Sequence, residues 1–369
     1  MRGRRRFLLP LLIGGRVRVR GRGQFGPERG HPNPLTPTLS PARRGGAFAL
    51  VRSSATSLAS VIAIFAVFSF ITLSHAAETL RVGKAVPEAF SFTPVDVGIR
   101  KDIFRKNGLE IEETAFAGDA KLQQAMTSDS LDIGIGSGPA LAFIVKGSPI
   151  KGVAAMAGPP LLLAIVVRPD GAKTVADLKG KKIAVSTAGS LTYWLVSETA
   201  RRQGWGPNGI DIEPMGAMAG QIAALVRGDI DGVIMDLANA YDLEIRGQGR
   251  ILVRFGDFKE FITHVIFATD KLIATRPDAI RKFLVGWFET IAYMRAHKPE
   301  TVEIDVQVLQ KDKEIVSRTY DDVMPMFSDD GKFDPKGLAT LARSFVELHT
   351  LPDEPDMSKL YTEAFLPAR

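Results

Sequence analysis

The stretch Ile183-Ala184-Val185-Ser186-Thr187-Ala188-Gly189-Ser190-Leu191-Thr192-Tyr193-Trp194 governs how the rest of the chain is read. A short apolar run makes a buried strand. Small residues follow, and a helix opens. Gly189 has no side chain, so another group can approach its backbone closely. Ser190 or Thr192 can cap the helix, because a hydroxyl accepts a hydrogen bond from a first-turn N–H. The first-turn N–H groups still free, together with the helix dipole, favour a negative charge beside Ser190, Leu191 and Thr192. Ordinary capping uses the same residues, so the segment alone leaves both readings open. A strand, a small-residue turn and a helix start form the repeating unit of an α/β sheet. Ligands gather at the strand carboxyl ends of such sheets.

The first half of the chain repeats this design at Gly134-Ile135-Gly136-Ser137-Gly138-Pro139-Ala140-Leu141. Its glycines miss the G-x-G-x-x-G spacing, which argues against dinucleotide binding. Ser137, Gly138 and Pro139 instead read as a helix start facing the same cleft. Around it, strands are predicted over 79–85, 109–114 and 131–135. Helices are predicted over 97–106 and from Asp119, with Asp119 as N-cap. The second half offers strands over 161–168, 182–186, 232–235 and 262–268, and helices over 191–203 and 220–227. From Pro277 onward the chain reads as mostly helical. Strand–helix alternation predicts parallel-type sheets in two α/β units, with a helical tail returning to one of them.

Other candidates are single residues. Phe90, Ser91 and Phe92 follow the first strand, where the two rings either wall a pocket or pack under the loop. Asp236 follows a buried strand and either caps the next helix or accepts a hydrogen bond from ligand. His264, alone in an apolar strand, reads as structural. The histidines show no metal-ligand spacing, and no Walker loop, G-x-S-x-G or H-E-x-x-H is present. No cofactor, metal or catalytic residue is expected.

The formal charge of +6 is unevenly spread. Residues 1–76 hold twelve arginines and one glutamate, which leaves 35 basic and 40 acidic residues beyond Ala76. The folded part is therefore acidic, and the basic balance gives no reason to expect nucleic-acid binding. The absence of cysteine excludes disulfides and thiolate chemistry. Residues 1–49, rich in Arg-Gly and Pro, read as a disordered or non-native extension. Residues 50–76 read as a signal peptide: Arg52, an apolar run over 58–73, and Ser74-His75-Ala76 before a cleavage point at Ala76–Ala77. Periplasmic export follows from that reading.

With these segments placed, the chain resembles a known family. The residues carrying the resemblance are Leu80-Arg81-Val82-Gly83, Leu131-Asp132-Ile133-Gly134-Ile135-Gly136, the stretch Asp177-Leu178-Lys179-Gly180-Lys181-Lys182-Ile183-Ala184-Val185, and then Gly189-Ser190. They are similar to the NMT1/THI5-like solute receptors, type II periplasmic binding proteins related to aliphatic sulfonate and taurine receptors. The resemblance implies an α/β, two-lobed fold with two hinge-crossing strands, near 164–169 and 265–269. One lobe would comprise 77–165 and 267–369, the other 166–266. It also implies an interlobe pocket lined by the loops already named, a monomer, and an ABC permease with its ATPase in the inner membrane as partners. The helix starts point to a small organic anion as ligand, such as a sulfonate, carboxylate or aromatic acid. Thiamine-pyrimidine precursor binding or synthesis by the same fold, and ligand sensing for a membrane partner, are the alternatives. The family's pyrimidine-making enzymes resemble a Cys-rich pattern that this chain lacks.

Overall fold

A computed structural model describes residues 77–159, 161–256 and 260–368. The expected extension and signal peptide lie outside the described residues. Ten strands form two five-stranded sheets. The first holds β1 (Glu78–Lys84), β2 (Leu109–Ala115), β3 (Ile133–Ser137), β4 (Ile150–Ala157) and β10 (His264–Thr269), in the order β2-β1-β3-β10-β4. The second holds β5 (Leu163–Val167), β6 (Lys182–Val185), β7 (Asp211–Pro214), β8 (Gly232–Asp236) and β9 (Arg250–Arg254), in the order β7-β6-β8-β5-β9. The two orders are the same arrangement used twice. Each sheet takes in one strand that arrives from the other lobe.

Those incoming strands explain a departure from the all-parallel expectation. β1 pairs in parallel with β2 and β3, and β6 with β7 and β8. β10 runs antiparallel to β3 and β4, and β5 antiparallel to β8 and β9. Sheet membership changes between Ala157 and Leu163, and again between Arg254 and His264. The crossings therefore precede the positions expected at 164–169 and 265–269, as do the lobe boundaries drawn at 165/166 and 266/267. The reason is hydrogen bonding: β5 and β10 are buried strands bonded on both sides, so the chain changes lobes in the segments before them.

Local chemistry sets several other boundaries. The helix expected over 97–106 divides into Pro94–Arg100 and Ile103–Lys106, because Asp102 takes a left-handed conformation (φ 55°) between them. Proline at the helix start suits Pro94, whose missing N–H would have no intrahelical partner there. β4, β7 and β9 carry weak sequence signals: β4 is rich in alanine and glycine, and β7 has four residues. The tail helix Pro277–Ala296 buries Phe283 and Trp287, and Phe283 stacks on Phe104 at 5.2 Å. No helix among the described residues is long and apolar enough to cross a membrane.

Behind the loop of Phe90–Phe92 lies a buried polar group. Asp305, on the helix Lys298–Leu309, is fully buried and neither carboxyl oxygen has a hydrogen-bond partner. Loss of hydration pushes its pKa up to about 8, and the charge of Asp96 adds to the effect. Nearby Lys84, itself buried, is held by Asp96 at 2.8 Å and Glu113 at 2.6 Å. The folded state thus keeps Asp305 protonated while the unfolded chain ionises it near 3.8. This favours the folded state fully below about pH 4, progressively less as pH rises, and least above about pH 8. Asp305→Asn should therefore raise the melting temperature by several degrees at pH 7.5, with the gain vanishing near pH 4. Thermal melts across that range check this, and an equal gain at both ends would contradict it.

Candidate functional site

A cavity of about 80 Å³ lies between the two sheets. That is room for roughly five to eight waters or a compact organic molecule. The first lobe contributes residues after β1 (Glu88, Phe90, Ser91, Phe92), the turn after β2 (Phe116, Gly118, Asp119), Ser137 and His264. The second contributes Ser186, Ser190, Leu191 and Thr192 after β6, Met218 and Gln221 after β7, and Asp236 at the end of β8. Leu162 and Leu163 line it from the crossing into β5, and Thr319, Val323 and Met326 from the helical tail. Most of this wall comes from strand carboxyl ends, where small-residue turns leave space.

Eight of the eleven residues singled out from the sequence line the cavity: Phe90, Ser91, Phe92, Ser137, Ser190, Leu191, Thr192 and Asp236. Gly138, Pro139 and Gly189 do not. Gly138 is glycine for a packing reason, since a Cβ there would sit 1.9 Å from the carbonyl oxygen of Ile262. Gly189 has φ +76°, which side-chain-bearing residues rarely adopt, so it shapes the turn. Pro139 is buried in the short turn Gly138–Ala140.

The helix starts are already engaged by the protein itself. Asp119 is not an N-cap, since Gly118 holds that position. Its carboxylate instead accepts from the Ser137 N–H at 2.8 Å and the Ser137 hydroxyl at 2.9 Å, and the Leu191 N–H lowers its pKa from across the cleft. Leu191 opens the helix Leu191–Arg202 of the other lobe. Ser190 Oγ accepts from the Tyr193 N–H at 3.2 Å, as a cap. Thr192 Oγ1 accepts from the Ser186 N–H at 3.0 Å. Asp236 caps the helix Leu237–Ile245: it accepts from the N–H groups of Ala238 and Asn239, and from Asn239 Nδ2 at 2.7 Å. An N-terminal positive potential therefore meets carboxylates of this chain before any ligand arrives.

The cavity's charge follows. Its ionisable lining consists of Glu88, Asp119, Asp236 and His264, and among the described residues no lysine or arginine lines it. Burial pushes the Asp119 and Asp236 carboxyls above the usual range, and their donors pull the other way. Burial also raises the Glu88 pKa, with the Asp236 charge as a further cause, and Glu88 Oε2 has no hydrogen-bond partner. Gln221, 1% exposed, donates from Nε2 to the Gly216 carbonyl at 2.6 Å, which leaves its Oε1 unpartnered. His264, 7% exposed, packs edge-on to Phe92 at 4.9 Å, with Nδ1 unpartnered. Burial lowers its pKa to about 3, so its ring is neutral at physiological pH.

Glu88, Gln221 and the lining role of His264 were missed from the sequence. Glu88 sits beside Phe90 and carried a signal, as a lone acid in an otherwise apolar loop. Gln221 lies in a helix whose register shows nothing special.

Contacts across the cleft hold the lobes together. Thr187 Oγ1 accepts from the Ala120 N–H at 3.2 Å, and Trp194 Nε1 donates to Ser344 Oγ at 2.8 Å. On the other side Lys311 pairs with Asp242 at 2.6 Å, and the Tyr241 hydroxyl donates to Asp322 at 2.6 Å.

With this geometry established, comparison with known proteins gives the family. The NMT1/THI5 like family matches residues 89–301, and the chain belongs to it. A Brucella abortus chain whose name calls it a binding protein is 23% identical over 59% of this chain and 67% of its own length. A Haemophilus influenzae chain named for thiamine biosynthesis is 31% identical, over 25% of this chain and 30% of that relative's length. Among solved structures, the alkanesulfonate-binding protein SsuA of Xanthomonas axonopodis pv. citri, bound to MOPS, superposes with a TM-score of 0.67. It is 20% identical and covers 78% of this chain and 99% of that one. The fold is thus that of type II periplasmic binding proteins.

His264 supplies a pH test. The unfolded chain protonates it near 6.5, whereas the folded site resists until about pH 3. Its contribution to stability is complete above pH 6.5 and is lost as pH falls towards 3. His264→Gln should flatten the decline of melting temperature between pH 6.5 and 4. An unchanged slope, or a ring resonance of His264 that titrates near pH 6, would contradict a neutral buried imidazole.

Proposed function

We propose that this chain is the periplasmic solute-binding component of an ABC-type importer. On this reading it captures a small molecule in the interlobe cavity and presents the closed form to an inner-membrane permease and its ATPase. The observation that carries the reading is the cavity itself: both lobes and the crossing into β5 line it, so ligand contacts would bias lobe closure directly. The named relatives and the sulfonate receptor of like fold support capture rather than chemistry. The protein acts as a monomer, exported by the leader expected at 50–76.

The ligand class expected from the sequence was a small organic anion. The lining supports it poorly, because Asp119 and Ser190 already engage the helix start and no cation among the described residues lines the cavity. A thiamine-pyrimidine precursor is the second reading. The Haemophilus relative's name favours it, and so do the free acceptors on Glu88 and Gln221, which suit a ring bearing amino groups.

Native mass spectrometry of protein purified from its own cells should show one small molecule per chain, released on unfolding. Met218→Trp, which adds bulk to the cavity wall, should cut occupancy at least tenfold while leaving the circular dichroism spectrum unchanged. Full occupancy in that variant would move the binding site elsewhere.

A further inference from the structure

The same cavity narrows the ligand further, on the assumption that it is the solute site. Its polar wall is dominated by acceptors. Asp119 and Asp236 each receive several donors from the protein, which is the environment of an ionised carboxylate. Burial raises their pKa against those donors, and in either protonation state their oxygens add acceptors to a space with little water. Glu88 adds a third carboxyl with an oxygen that nothing in the protein satisfies. Gln221 adds a fourth acceptor: its amide orientation is settled by the Gly216 carbonyl, which only Nε2 can face. The nearby lysines offset this only in part: Lys311 and Lys84 lower the Glu88 pKa and Lys311 that of Asp236, but each already has carboxylate partners. Lys311 is held by Asp242, and Lys84 by Asp96 and Glu113. The remaining wall is hydroxyls that bond within the protein, such as Ser137, Ser190, Thr192 and Thr319, and apolar or aromatic side chains, with Phe90, Phe92 and Phe116. Buried acceptors without donors are costly, and aromatic faces attract cations.

We propose that the cleft takes an organic cation, with a protonated amine or amidinium nitrogen donating to Glu88, Gln221 and Asp236 and an apolar body against Phe90, Phe92 and Phe116. Such a ligand satisfies the free oxygens and neutralises the local charge in one step. A sulfonate or carboxylate of the same size would place its negative charge among three carboxyls and offer the free oxygens no donor.

Calorimetry with the full chain tests this on four probes sharing one ring: benzylamine, benzamidine, benzyl alcohol and toluenesulfonate. The expected result is that at least one of the two cations binds ten or more times tighter than toluenesulfonate. Glu88→Gln should then reduce cation affinity at least tenfold and leave benzyl alcohol unchanged. Gln keeps the side chain's size at a partly exposed position, and a melting curve confirms folding. Tighter binding of toluenesulfonate would overturn the cation assignment and leave solute capture standing. Cation binding insensitive to Glu88→Gln, or no binding of either cation, would also overturn it. Solute capture itself falls only if native mass spectrometry finds no bound molecule.

Discussion

The carboxylate of Asp119 is the contact around which the two lobes are organised. It lies on the first lobe, holds Ser137 of that lobe by backbone and side chain, and faces the Leu191 N–H of the other lobe, which lowers its pKa. A buried carboxylate needs donors, and those within reach come from both sides of the cleft. The wall of the cavity follows from that demand. Ser137 is turned towards Asp119, the helix Leu191–Arg202 is drawn to the first lobe, and the space left between them is where a ligand fits.

The same contact changes the meaning of the helix starts. A free helix N-terminus favours an anion. Here Asp119 and Ser190 answer one start, and Asp236 answers another. The dipoles thus face carboxyl groups of the protein itself, and no lysine or arginine among the described residues lines the cavity. Likeness of fold to a sulfonate receptor is a likeness of architecture and leaves the charge of the ligand to the residues of the cavity. The residues in this cavity are the more direct evidence, because charge recognition depends on the groups within a few ångströms of the ligand.

Much of the architecture was legible from residue order. Strand–turn–helix units at 133–141 and 183–202, each with glycine and serine at the turn, read as parts of α/β sheets and were found so. Weaker strands were not legible: β4 is alanine-rich, and β7 (Asp-Ile-Glu-Pro) and β9 (bounded by Arg250 and Arg254) are only partly buried and carry polar residues, so their hydrophobic pattern gave little signal. The crossings, expected from the family resemblance, were displaced because 164–169 and 265–269 fall in or beside strands bonded on both sides, and the segments that change lobes precede them. Of the site, the small residues at strand ends were readable. Gln221 and His264 were not, since their importance comes from what surrounds them, and Glu88 carried only the signal of a lone acid in an apolar loop.

The sequence by itself determined the two α/β units, the family, the acidic balance of the folded part and the turns that would face a cleft. These depend on periodicity, composition and local backbone chemistry, which neighbouring residues decide. Only the tertiary structure decided which turns line one cavity and which donors each carboxylate receives. Gly138 and Gly189 turned out to serve packing and turn geometry, and the helix starts turned out to be occupied. Hydrogen bonding and charge act through space, and the partners that set them lie far apart along the chain.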